Sequence, residues 1–361
     1  MVIQGINNGG IYYTSDIDSI IVKSVSGKLT FTCTVGSLSI TEYYTTDSGG
    51  IVTIRELGKV IDSVFSLKDY NKSATEYVHE PLSVSLKFAD NSGSNIISFQ
   101  AVYSKAVTGK IPGDNNVFLS RYRIVKTNKS RLEFVTVFKT NTIKLIAGIA
   151  YLSSGKAKFK KVTLSVTSKT DCTYTRLVSL KNISSAAGVN VDSVLFYEIY
   201  LYDNDTLTDK IRYDVKKEIT LPEVNFLYRN PFGGFDTLSF TGYQTDMPEN
   251  DFSINSFLGT QRRYSTSIKD IHKAYSGYIS NDIYNAIKDM LLSTETYIMD
   301  KDFDVEEIVI KESEMERTLP SNEVYGVSVT YYPSQDNHYR FDRGSAVSKR
   351  IFDKTFDHTF D

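Results

Sequence analysis

The sequence predicts a mainly β protein: tandem antiparallel β-sandwich-like domains, then a C-terminal β-rich domain carrying one amphipathic helix. Three observations lead there. The chain holds 25 tyrosines and 20 phenylalanines but no tryptophan and only 7 prolines, a composition suited to pleated, half-buried surfaces. Short runs place apolar residues at every second position, the period of a strand with one wet face. Turn signals separate these runs every 8 to 15 residues or so, the rhythm of a sandwich.

Residues 1–113 read as an N-terminal β domain with one short helix. SIIVKSV (19–25), KLTFTCTV (28–35) and SLSITEYY (37–44) alternate and are joined by SG and GS, the punctuation of tight hairpins. GGIVTIRELGKVIDSVF (49–65) opens as a strand and then changes period, with Leu57, Val60, Ile61, Val64 and Phe65 at helical spacing. LSVSLKFAD (82–90) and NIISFQAVYS (95–104) alternate again, and KIPGDNN (110–116) marks a boundary.

Residues 114–222 supply about seven further strands, a second sandwich-like domain. Residues 223–345 form the third, with a helix near 281–292. There Ile283, Ile287, Met290 and Leu291 fall on one helical face. Ser280 or Asn281 serves as N-cap, and Asp282 lies near the positive end of the helix dipole. Residues 346–361 are an extended polar tail in which Phe352, Phe356 and Phe360 recur, a pattern open to docking on a neighbouring subunit or to simple fraying.

Formal charge is −2, from 41 basic and 43 acidic residues that are interspersed. That balance gives no nucleic-acid contact by charge and no polybasic membrane patch. No apolar run approaches the roughly 18 residues needed for a membrane span. The segment MVIQGINNGGIYY lacks a signal peptide's regions, so the expectation is a soluble chain made in the cytoplasm. Cys33 and Cys172 read as buried thiols rather than a disulfide.

Residues 230–242, NPFGGFDTLSFTG, stand out. A phosphate loop would lead its glycines into a helix N-terminus. Here Gly233 and Gly234 lead into FDTLSFTG, which alternates as a strand does, so Asn230, Pro231, Gly233, Gly234 and Asp236 are assigned to a structural turn. His79, His272, His338 and His358 are scattered without metal-ligand spacing and read as surface or turn residues. DNDTLTD (203–209) lacks the glycine and final glutamate of a calcium loop and reads as a solvated hairpin tip. The acids of DVEEIVIKESEMER (304–317) read as solvated strand-face charges. No catalytic residue, cofactor or metal ligand is assigned, and the expectation is a protein that is not an enzyme. Tyrosine-rich VLFYEIYLYD raises sugar stacking as an alternative to buried or interface tyrosine.

LYRNPFGGFDTLSFTG, YSGYISNDIYNAIKDMLLSTETYI and FDKTFDHTF, together with GGIVTIRELGKVIDSVFSL (49–67), resemble segments of virion tail proteins from phages infecting Bacteroidetes, including crAss-like phages. The resemblance covers about 130 C-terminal residues plus the N-terminal patch and carries no known chemistry. It implies a structural protein of the virion tail, made in the host cytoplasm. Its partners would be copies of itself in a cyclic homo-oligomer, a ring or tube/adaptor, and other tail or portal-proximal proteins. A receptor- or glycan-binding tail module is the alternative, and a carbohydrate-active enzyme a distant third.

Overall fold

The computed structural model describes residues 1–17, 19–114, 116–140, 143–216, 223–257, 260–316 and 326–334. The tail carrying Phe352, Phe356 and Phe360 lies outside the described residues.

The first segment opens with β1 (Val2–Gln4), β2 (Ile11–Tyr13), β3 (Ser19–Lys23), β4 (Lys28–Val35), β5 (Leu38–Thr45) and β6 (Val52–Arg55). Helix α1 (Leu57–Asp62) follows, then β7 (Glu76–His79), β8 (Leu82–Asp90) and β9 (Gly93–Val102). The second segment holds β10 (Ile124–Thr127), β11 (Phe134–Lys139), β12 (Ile143–Ser153), β13 (Lys156–Leu164) and β14 (Cys172–Leu177). Helix α2 (Leu180–Ala187), β15 (Val194–Asp203) and β16 (Thr206–Val215) complete it. The third contains β17 (Val224–Arg229), β18 (Phe235–Phe240), β19 (Gln244–Asp246), β20 (Glu249–Phe257), β21 (Thr260–Lys269) and β22 (His272–Tyr275). After helix α3 (Asn281–Leu291) come β23 (Thr296–Met299), β24 (Val305–Glu316) and β25 (Gly326–Pro333).

The protein is mainly β, as its composition and alternation predict. The sheet β1-β3-β6 faces the sheet β2-β9-β8-β4-β5. Their inward residues, among them Ile20, Val22, Phe31, Leu86 and Phe88, form one core. KLTFTCTV shows why: Leu29, Phe31, Cys33 and Val35 are buried while the intervening threonines are not. Cys33 and Cys172 are both buried free thiols, and burial pushes each up to about 11.

The second and third segments share a core. It joins Val135, Leu145, Tyr197 and Ile211 of the second to Phe226, Ile287, Met290 and Val329 of the third. The third sheet runs β18-β17-β23-β24-β25-β22-β19, with the buried face of α3 in that same core. Helix α3 matches its expected span, and the Ser280 hydroxyl accepts from the Ile283 amide as N-cap.

A small sheet, β11-β14-β7, crosses the boundary drawn near residue 113. Strand β7 pairs antiparallel with β14, Tyr77 opposite Thr175, so the first segment contributes a strand to the second. All of β11 and β17, and nearly all of β14 and β18, are buried. Strands covered on both faces lose the wet/dry alternation.

Helix α2 went unpredicted because its eight residues sit between strand-like runs, yet Leu180, Ile183 and Ala187 recur at i, i+3 and i+7, and Gly188 ends it in the left-handed region. DNDTLTD is a hairpin tip as expected, with Asn204 and Asp205 both at positive φ. Its Asp209 is nonetheless engaged, accepting from the Phe118 amide at 3.0 Å and pairing with Arg123.

Because one core spans residues from both segments, I287A is expected to cost about 2–5 kcal/mol. Hydrogen exchange should then accelerate in β12 and β15 as well as in α3. Loosening confined to the third segment would contradict a shared core.

Candidate functional site

The five residues assigned to a structural turn meet at the junction of the three segments. Strands β17 and β18 pair antiparallel up to Arg229 opposite Phe235, and residues 230–234 close the hairpin. The Asn230 amide donates to the Gly234 carbonyl at 2.8 Å, and the Gly233 amide to the Asn230 carbonyl at 3.0 Å. The Asn230 side-chain carbonyl oxygen accepts from the Phe232 and Gly234 amides, each at 3.0 Å. Its Nδ2 donates to Thr136 Oγ1 at 2.9 Å, and Thr136 in turn meets Thr175 Oγ1 at 2.9 Å on the paired strand. Asn230 is only 4% exposed. A hairpin turn buried in this way must satisfy its own amides, and an asparagine reaching back over the turn does so.

The two glycines have different jobs. Gly233 takes φ +83°, in the left-handed region. Gly234 has no room for a side chain: an added Cβ would lie 2.0 Å from Thr175 Oγ1 and 2.8 Å from Thr136 Oγ1. Pro231 offers its carbonyl to the Lys105 amide at 2.7 Å. Phe232 packs edge-on against Tyr13 at 5.5 Å, beside Val102 and Phe138. Phe235 lies 4.9 Å from the Tyr77 ring in a cluster with Phe134, Leu227 and Met299.

Buried charge surrounds the turn. Arg229 donates to the Gly233 carbonyl at 2.9 Å, to the Lys68 carbonyl at 3.1 Å and to Glu295 at 2.5 Å. At the other end of β17, away from the turn, Arg131 forms a two-pronged pair with Glu223, at 3.0 and 2.7 Å, and both side chains are buried. The geometry is that of a fork meeting a carboxylate. His79 is buried, contrary to its reading as a surface or turn residue, because β7 is a covered strand. Burial, reinforced by the Arg229 and Lys68 charges, pulls it down to about 4.

Three carboxyls sit in this region. Burial raises Asp236 well above the usual carboxylate range, and the Asp289 charge adds to the effect. Burial likewise raises Asp289, against the opposing pull of Arg121, whose Nε lies 2.5 Å from Asp289 Oδ2. Glu133 is pushed up to about 7 by desolvation, against the Arg131 charge. Sequence reading found none of these roles for Glu133 and Asp289, since each is set by strands or helices distant along the chain.

A groove of about 350 Å³ opens between the segments, lined by Tyr13, Val107, Phe118, Phe138, Phe232 and the Arg121–Asp289 pair. A second of about 270 Å³ shares Arg121, Pro231 and Asp289. Two of the lining cations are engaged within the protein: Arg121 by Asp289, and Arg123 by Asp209 and the Ser120 and Tyr122 carbonyls. Among the described residues, no three His, Cys, Asp or Glu side chains are grouped to hold a metal ion. What the arrangement does chemically is join three segments.

No family model and no curated protein matches this sequence. Among solved structures, a tandem pair of titin immunoglobulin domains aligns over 60% of this chain and 95% of its own, at 7% identity and a TM-score of 0.22. The extracellular portion of mouse CD200RLa aligns over 58% of this chain and 100% of its own, at 9% identity and a TM-score of 0.20. At such scores the alignments carry no functional argument.

G234A is expected to lower unfolding stability by about 1–3 kcal/mol, because the new methyl group meets a packed threonine pair. Chemical denaturation that gave wild-type stability would refute the packing account. The pH dependence contains opposing parts. Glu133, raised in the fold, lends stability that is complete below its unfolded value and fades as pH rises to about 7. His79, lowered in the fold, acts in the other direction, its stabilisation being lost as pH falls toward 4. Comparing E133Q with wild type isolates the first: the variant should gain about 3 kcal/mol relative to wild type between roughly pH 4.5 and 7. A difference that stays flat across that window would contradict a buried, protonated Glu133.

Proposed function

We propose that this chain is a non-enzymatic structural component of a phage virion tail. It is made in the host cytoplasm and assembles with copies of itself into a cyclic ring or a tube/adaptor beside other tail or portal-proximal proteins. The observation that carries the reading is an arm. Strands β20 and β21 pair only with each other among the described residues, from Glu249 opposite Lys269 to Phe257 opposite Thr260. Nine to ten residues per strand at about 3.4 Å each give an arm about 30 Å long. A lone two-stranded ribbon is marginal in water. Ile254 on the arm is 52% exposed, and such a ribbon gains its missing neighbour by docking on another subunit.

The arm is held at its base, where Lys311 meets Glu249 at 3.1 Å and Lys269 lies over the Tyr332 ring. Among the described residues, strand β24 pairs with β23 only through Val305, Glu306 and Glu307, leaving residues 308–316 paired on one side by β25. A free strand edge of this kind is a template for a second chain. The resemblance of the NPFGGFDTLSFTG region to phage tail proteins supports the setting. Arm and open edge differ in shape, so contacts between them would be heterologous, the kind that forms a ring when the rotation between subunits closes. Among the described residues no helix is long and apolar enough to cross a membrane.

The test replaces residues 249–269 by an Asn-Gly turn. The intact protein should form closed oligomers by light scattering and electron microscopy, and the armless one should stay folded and monomeric. An intact protein that remains monomeric as its concentration is raised would end the proposal.

A further inference from the structure

The outer face of the sheet β10-β16-β15-β12-β13 is covered by none of the hydrophobic cores, and its side chains are unusual for a wet surface. Phe159 of edge strand β13 is 50% exposed. Gly148 lies beneath two rings: a Cβ there would come within 2.6 Å of Phe159 Cζ and 2.7 Å of Tyr200 Cε2. Strand register then extends the row, with Ala150 opposite both Phe159 and Phe196, and Phe196 opposite Asp214. The Arg212 guanidinium lies 3.9 Å from the Phe196 ring centre, and Lys161 lies over the Tyr200 ring at 5.4 Å. VLFYEIYLYD thus divides its aromatics: Tyr197 points into the core, while Phe196 and Tyr200 belong to the half-buried outer face.

We infer that this face is a binding platform for an anionic polysaccharide, one bearing carboxylates on some of its sugars. Rings offer flat apolar surface to the C–H faces of sugars. Glu198 and Asp214 lie on the same face and can accept hydrogen bonds from hydroxyls. Glu198 is itself held by Tyr200 and by Lys210 at 3.2 Å, and Asp214 by Arg212 at 2.7 Å. Fixed carboxylates among the rings disfavour a phosphate-dense strand, which would meet repulsion along its length. Cations supply the attraction for sparser acids: exposed Lys161, opposite Gly148, and exposed Lys126, opposite Asp214, stand on this face and have no carboxylate partner among the described residues, whereas Lys156, Lys158 and Lys160 of β13 alternate onto the other side. Edge lysines also deter strand pairing. That role does not account for a half-exposed phenylalanine between them, and it argues against a second copy of this chain as the occupant.

The test uses native affinity electrophoresis of the full chain in gels containing hyaluronate, which carries a carboxylate on every second sugar, or dextran or poly(dT). Hyaluronate should retard the wild type, dextran should not, and added salt should reduce the effect. F159A, at an exposed position, should bind roughly tenfold more weakly, as loss of one stacking ring predicts. The double change K126Q and K161Q should weaken binding further, with circular dichroism and oligomeric state unchanged in both variants. The armless protein should bind as the wild type does, which separates this inference from the assembly reading. No retardation by hyaluronate, equal retardation of F159A, retardation by poly(dT) alone, or an altered oligomeric state in the variants would each overturn it.

Discussion

The fold depends on one buried turn whose amides are satisfied from within. Asn230 closes the β17–β18 hairpin through its own backbone and caps two further amides with its side chain. An unsatisfied buried amide costs about 1–3 kcal/mol, so a turn can enter an interior only with such a device. Once inside, it presents Phe232 to one cluster and Phe235 to another, and its carbonyl at Pro231 to the first segment. The three segments are joined at this point by packing and by hydrogen bonds together.

Covering strands on both faces has electrostatic consequences. Polar side chains on β11, β14, β17 and β18 have little access to water, so each must pair or remain uncharged. Threonine 136 and threonine 175 pair across the ladder, and Arg229 is shared among two carbonyls and Glu295. Burial raises Asp236 above the usual carboxylate range, and the nearby Asp289 charge adds to it. Covering these strands thus shifts the protonation of groups on and beside them, Asp236 and Glu133 upward and His79 downward. The interior polar groups hold the joint, while the features proposed to meet other molecules lie outside: the β20–β21 arm, the open edge of β24 and the aromatic face around Gly148.

These exterior features obey different constraints from the joint. The arm is long, paired only with itself among the described residues and tethered at its base by an ion pair and a cation over a ring. The aromatic face is flat and rigid because it rides on a five-stranded sheet whose other face is core. A reaching element suits assembly and a rigid platform suits recognition, so the two roles need not compete for the same surface.

Local signals carried much of this into the sequence. Alternation in KLTFTCTV, the change of period at Leu57, the amphipathic face around Ile287 and the Asn204–Asp205 tip are all decided by residues within a few positions of one another, and each is legible there. So was the turn at Asn230, with its proline and glycines. What the sequence did not disclose was that this turn is buried, that β7 leaves its own segment to pair with β14, that His79 is thereby covered, or that β20 and β21 pair with no other strand among the described residues. Those outcomes depend on which surfaces meet across separations of tens to hundreds of residues. Periodicity records which side of a strand is apolar; it does not record what will cover the other side, and only the packed structure decides that.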